Sequence, residues 1–362
     1  MGSQKQIVIH CGFHKTASSS IQYSLADNRK KLKKLGYYYP EMRFDNKLFY
    51  NQSIPLYGLF TTHPEKFQHY VIHNQFDPTQ VNKKIKALLD ENCFRYDRLI
   101  FSDEFISSLN KDELVKLKKH FETLGFDIRI ITFVRDPCNL FTSQIQQRIP
   151  SNTIQTMLDA VDKVQGSHSK VSRLMAVFGS AVEFHCFEKA CQFEGGPAAY
   201  FFNLLALKRN VSFKYKSVNE SRSNHAVRLI SYINENKGKQ IFRRQDLFDL
   251  YEIKGNKFVL NKSEMAQVET SLVDARNKVA DILGDDFFLP INFSSRDDLA
   301  WKKQQLSTVI SLIPKLKKPI ALLIYKYFLQ EKTVSPDQLE KIEICINKTF
   351  PNTVNPGEKS VI

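Results

Sequence analysis

The chain of 362 residues carries 52 Lys and Arg against 38 Asp and Glu, a formal net charge of +14, with 42% hydrophobic and 25% charged residues. That apolar share supports a sizeable core and excludes a disordered or collagen-like chain, and the length allows one large or two ordinary domains. Six cysteines, at 11, 93, 138, 186, 191 and 345, form no C-x-x-C pair and no Cys/His cluster of zinc spacing, which argues against a disulfide scaffold and a structural zinc site.

A basic balance of this size favours an anionic partner: nucleic acid, a membrane surface, a polyanionic glycan or a phosphorylated cofactor. A generally basic solvated surface accounts for it equally well. No signal peptide precedes the first apolar run, so the sequons at Asn210 and Asn219 read as chance matches and the expected compartment is cytoplasmic.

Ile7, Val8 and Ile9 predict a short buried strand, which Gly12 ends. His14, Lys15, Thr16, Ala17 and the three serines 18–20 follow, and Ile21 and Leu25 open a helical pattern. Strand, tight turn, lysine, hydroxyls and helix N-terminus together describe an anion cradle. An ordinary capped helix is the plainer alternative, since Ser and Thr are common N-caps, but one hydroxyl would suffice for that. A Walker A loop needs glycine directly before the lysine, and here that residue is His14.

The first helix is expected from about Ser19 to Leu35, stopped by Gly36, and Tyr37–Tyr39 predict a second short strand ended by Pro40. Its lysines at 30, 31, 33 and 34 read as a solvated basic face rather than a nucleic-acid site. Residues 42–75 are irregular, with His63, His69 and His73 among aromatics. Asp77 and Pro78 predict a helix start, followed by an apolar stripe at Ile85, Leu88 and Leu89. Arg98–Ser102 predicts a third strand that delivers Asp103 and Glu104, and a helix is expected from Lys111 to Leu124. Asp127–Val134 is a strongly β-branched strand followed at once by Arg135, Asp136 and Pro137, with a helix over 138–148. Strands and helices alternating at this spacing predict a parallel sheet flanked by helices, with ligands beyond the carboxyl ends of the strands. Lys15, the Asp103–Glu104 pair and Arg135 are thereby expected at one rim.

Arg135 ends a buried-type strand and Ser143 sits eight residues on, a guanidinium and a hydroxyl that suit a phosphate. Taken with the first loop, the pattern resembles the sulfotransferases that use 3′-phosphoadenosine 5′-phosphosulfate (PAPS), in particular bacterial, carbohydrate-type members. Gly12-Phe-His-Lys-Thr-Ala-Ser-Ser-Ser-Ile-Gln looks like that family's 5′-phosphosulfate loop, often G-F-H-K-T-G-T-T-S-I-Q. Val134-Arg135-Asp136-Pro137 with Ser143 is similar to its 3′-phosphate site. Residues 182–188 and 200–207 and the segment Asn219-Glu-Ser-Arg-Ser are more loosely similar, so that the resemblance covers roughly residues 7–290. Ala17 departs from the usual glycine, and Ser18 and Ser19 replace threonines.

The resemblance implies a P-loop-like α/β domain over 1–295, here followed by a helical extension at 296–350 and a loose tail at 351–362. It also implies PAPS as co-substrate, bound by Gly12, Phe13, His14, Lys15, Thr16, Ala17, Ser18, Ser19, Ser20, Arg135 and Ser143, with no metal. The acceptor would be a hydroxyl or amine of a glycan, glycolipid or small metabolite, and nucleic acid is not expected as a partner. Lys15 would stabilise the leaving phosphate. Bacterial members often show S-x-E at the end of the third strand, as Ser102-Asp103-Glu104 does, which makes Glu104 the expected base and His14 its alternative. Two rivals remain at this point: a P-loop kinase or NTPase, and a non-catalytic basic module for polyanions or membrane. In the extension, Lys315, Lys317, Lys318 and Lys326 interleave with apolar residues between the breaks at Pro314 and Pro319 and beyond, so 301–332 is read as a candidate for peripheral membrane contact or for packing on the domain.

Overall fold

The computed structural model describes residues 5–44, 47–49, 52, 56–66, 78–163, 167–207, 211–218, 221–290, 300–331 and 334–351. The expected cap at Asp77, His69, His73, the sequons at Asn210 and Asn219, and the tail from 352 lie outside the described residues.

Four parallel strands form the main sheet: β1 (Lys5–Cys11), β4 (Arg98–Asp103), β5 (Phe126–Val134) and β6 (Val182–Cys186), in the order β4-β1-β5-β6. Two short strands, β2 (Met42–Phe44) and β3 (Lys47–Phe49), pair antiparallel elsewhere. Register sets Ile9 of β1 beside Phe101 of β4 and Ile130 of β5. With side chains alternating across the sheet, Ile7, Ile9, Leu99, Phe101 and Ile130 join one buried cluster, and Val8, Ile100, Ile131 and Phe133 join the other. Both faces are covered, which explains why these strands read as unbroken apolar runs.

On one face lie α1 (Ser18–Asp27) and α2 (Arg29–Lys34), whose Ile21, Leu25 and Leu32 enter the cluster of Val8 and Phe133. The single helix expected over 19–35 is therefore two. The break falls at Asn28, a buried residue whose Nδ2 donates to the Ser24 and Lys214 carbonyls and whose Oδ1 accepts from the Lys214 amide. A side chain engaged with a distant segment competes with the helical ladder, and no local propensity reports that. Tyr38 makes one parallel bridge to Leu99 rather than a strand.

After a short helix, α3 (Tyr57–Phe60), the other face carries α4 (Pro78–Arg95), α5 (Lys111–Thr123) and α8 (His168–Phe178). Helix α5 starts on a capping box: Asn110 accepts from the Glu113 amide at 3.0 Å while Glu113 accepts from the Asn110 amide at 2.8 Å. Leu114, Leu117 and Phe121 are fully buried beneath it, at the helical spacing that the sequence shows.

Between these elements and after them run α6 (Pro137–Arg148), α7 (Ile154–Leu158), α9 (Phe187–Gln192), α10 (Gly196–Leu204), α11 (Asn224–Asn236) and α12 (Lys262–Leu283). Three more close the chain: α13 (Lys303–Leu312), α14 (Lys318–Gln330) and α15 (Pro336–Thr349). Pro319 begins α14 rather than breaking a helix, as a proline in the first turn can.

The chain divides into two compact units, one of residues 1–137, 166–219 and 274–290, the other of 138–165, 220–273 and 291–362. The division does not fall at residue 295. Residues expected as an appended extension share one apolar core with 138–165 and 220–273, where Phe141, Ile145, Leu229, Ile230, Leu312 and Ile324 are buried together.

Candidate anion-binding site

Apart from Ser143, the residues below lie in the first unit. The strand order puts β1 between β4 and β5, and the chain leaves β1 toward β4 but β5 toward β6. The ends of β1 and β5 thus flank a topological switch point, where open parallel sheets bind ligands.

The end of β1 is fixed from both sides. Thr132 Oγ1 donates to the Cys11 carbonyl at 2.6 Å, and the Gly12 amide donates to the Asp103 carbonyl at 2.9 Å. Gly12 leaves space for a neighbour: a Cβ there would stand 2.2 Å from Ser18 Oγ, 3.1 Å from Ser18 Cβ and 3.4 Å from the Glu104 backbone, so the Ser18 hydroxyl would have to swing away. The loop then turns through two left-handed residues, Lys15 at φ 66° and Ala17 at φ 59°. Thr16 staples the turn by donating to the Phe13 carbonyl at 2.6 Å.

Helix α1 follows with Ala17 as N-cap, and no side chain caps it. The simple capped-helix alternative therefore fails here: the hydroxyls are present but none closes the helix end. The first amides of α1 have no carbonyl one turn back, and Ser18 Oγ is buried without a hydrogen-bond partner. Such a terminus presents partial positive charge and free donors to an anion.

Arg135 reaches this loop from the end of β5. Its Nη1 donates to the Lys15 carbonyl at 2.8 Å, and its guanidinium lies 5.2 Å from the Phe187 ring centroid. Glu188 stands 3.9 Å away and accepts from the Asp136 amide at 3.2 Å. Burial pushes the Glu188 carboxyl up, and Arg135 offsets that only in part. Arg276 on α12 pairs with Asp136 and donates to the Leu289 carbonyl at 2.8 Å, fixing the residue next to Arg135.

The two carboxylates at the end of β4, Asp103 its last residue and Glu104 just after it, have different employments. Asp103 is fully buried, with its oxygens accepting the amides of Tyr57, Phe105 and Ile106, so it organises backbone. Glu104 is partly exposed and meets His14 Nδ1 at 3.3 Å. The two residues considered as bases are thus neighbours beside Lys15.

The remaining site residues vary in what they can do. Phe13 is buried, Ser19 is partly exposed, and Ser20 Oγ accepts the Val218 amide at 3.1 Å, which ties down the segment before residue 219. Accepting that amide leaves the Ser20 hydroxyl proton available to donate. Ser143 is buried on α6 and belongs to the second unit. One cation escaped the motif: Lys170 on α8 holds its ammonium 5.6 Å from the Phe13 ring centroid. Burial keeps its pKa below the ordinary lysine range, partly opposed by Cys11 and Glu104. Nothing in the local sequence around Lys170 marks it, because only the packing of α8 on the strand ends brings it there. Among the described residues no group of three or more His, Cys, Asp or Glu could hold a metal ion.

No family model and no curated protein matches the chain. Among solved structures it is similar to a sulfotransferase from Alicyclobacillus acidocaldarius, with a TM-score of 0.35 and 10% identity over 60% of this chain and 87% of that one. A likeness this slight says nothing of what the chain does.

Proposed function

We propose that the protein transfers a sulfuryl group from PAPS to a hydroxyl or amine of a glycan, glycolipid or small metabolite. The observation that carries this reading is the uncapped N-terminus of α1, behind the left-handed Lys15 and Ala17, with Arg135 braced on the Lys15 carbonyl. The amides of α1, Ser18 Oγ and Lys15 fit a 5′-phosphosulfate, since the cradle holds a buried hydroxyl without a partner, one that a Cβ at Gly12 would displace. Arg135 fits the 3′-phosphate; Ser143 is assigned to it only by its eight-residue distance along the chain.

In the reaction, the acceptor oxygen or nitrogen attacks sulfur while the sulfur–oxygen bond to the 5′-phosphate breaks, leaving 3′-phosphoadenosine 5′-phosphate. Catalysis rests on in-line positioning and on neutralising charge at the leaving phosphate. Lys15 and the α1 amides supply that charge, and Lys170 adds a second cation beside Phe13. Glu104 takes the acceptor's proton, directly or through one water. A kinase reading is less favoured because glycine is missing before Lys15 and Arg135 would be left without a role.

Transfer of labelled sulfate from PAPS to an acceptor panel tests the reading. Lys15→Ala should lower the rate by ~10²–10³. Near-full transfer by that variant would contradict the assignment.

A further inference from the structure

The second unit carries a feature that sulfuryl transfer does not use. Between α11 and the 3-10 turn at Arg244–Glu252 runs Lys237-Gly-Lys-Gln-Ile-Phe-Arg-Arg, four cations in eight residues with no acid. Phe242 turns toward the core, whereas Ile241 is 90% exposed, among the most exposed large apolar side chains of the described residues. Lys239, Arg243 and Arg244 are exposed around it.

A second basic cluster joins this loop. Lys317 Nζ donates to Asp246 Oδ2 at 2.7 Å, and the same carboxylate oxygen accepts the Arg243 amide at 2.9 Å. That shared carboxylate brings Lys317 beside the Arg243 backbone, and exposed Lys315 and Lys318 are its near neighbours in sequence. Asp246 is thereby spent, and Asp249 and Glu252 are the other acids of the turn. Most apolar residues of α14 itself, including Ile320, Ile324 and Phe328, are buried in the core, with Leu329 exposed near its far end.

We infer that this surface docks on an anionic phospholipid bilayer, with the cations on the headgroups and Ile241 in the interface. Charge complementarity favours an anionic occupant. One observation favours lipid over nucleic acid or a sulfated glycan. An aliphatic tip standing clear of the protein gains nothing from a phosphate backbone, but gains by leaving water for an acyl boundary. This inference stands independently of the proposed transfer reaction.

Co-sedimentation of the full chain with vesicles tests it, comparing phosphatidylcholine alone with mixed phosphatidylcholine and phosphatidylglycerol. The chain should bind the mixed vesicles and not the neutral ones. Ile241→Ser should weaken that binding about tenfold, and Arg243→Glu with Arg244→Glu should weaken it by ~25-fold or more, at about fivefold per cation removed. Ile241→Ser should leave retention on heparin unchanged, and both variants should melt as the parent does. Failure to bind mixed vesicles would overturn the inference. So would unchanged vesicle binding by Ile241→Ser, which would leave only a polyanion patch.

Discussion

Glu104 and His14 illustrate how little separates two roles at the scale of a residue. Their contact of 3.3 Å lets His14 donate from Nδ1 and hold the carboxylate in place, or lets Glu104 orient an imidazole whose Nε2 takes the proton. Motif order favours Glu104, and the pair predicts distinct kinetics. Glu104→Gln should keep nucleotide binding while transfer falls ~10²–10⁴-fold, with a smaller loss for His14→Ala. Steady-state rates of the two variants decide between them: unchanged transfer by Glu104→Gln with a large loss in His14→Ala would hand the base role to the histidine. The placement of Gly12, Lys15 and Arg135 was legible beforehand, because they lie at strand ends where chain order alone sets their neighbours. Lys170 was not, nor was the diversion of Thr16 onto the Phe13 carbonyl and of Ser20 onto Val218. A hydroxyl in sequence carries no sign of which group it will satisfy.

At the scale of elements, α1 begins under strain. Ala17 holds φ 59°, a conformation that costs an L-residue roughly 1–2 kcal/mol and glycine almost nothing. Ala17→Gly should therefore stabilise the protein by ~1 kcal/mol in denaturant unfolding, without loss of nucleotide affinity. An unchanged or lowered midpoint would show that the turn is not strained there. Strands β1, β4 and β5 declare themselves as apolar runs because both of their faces are buried, and α5 by its stripe of Leu114, Leu117 and Phe121. The division at Asn28 and the single bridge of Tyr38 depend on Lys214 and Leu99, partners far along the chain. Periodicity cannot see them.

Taken whole, the molecule builds its units from discontinuous stretches, a pattern set by which apolar faces meet and not by chain order. One consequence reaches the entire fold. His10 is fully buried on β1, and burial holds its pKa down at about 3 against an ordinary 6.5. The unfolded chain thus binds a proton between those values that the native state refuses, so stability falls as pH drops below about 6.5. The expected slope from this group is about 1.4 kcal/mol per pH unit. His120 and His185, also held low by burial, act in the same direction. Chemical denaturation at several pH values should show this slope, and His10→Asn should flatten it; an unaltered slope would place the sensitivity elsewhere.

In the proposed reaction the α1 cradle and Arg135 together read a nucleotide bearing both 5′- and 3′-phosphates. Calorimetric titration of 3′-phosphoadenosine 5′-phosphate against adenosine 5′-phosphate, without added magnesium, tests it most directly. The 3′-phosphorylated form should bind ~10–100-fold more tightly, the worth of a charge-assisted hydrogen bond, and Arg135→Ala should erase that difference. Equal affinity for the two nucleotides, or a preference for ATP with magnesium over both, would contradict the account.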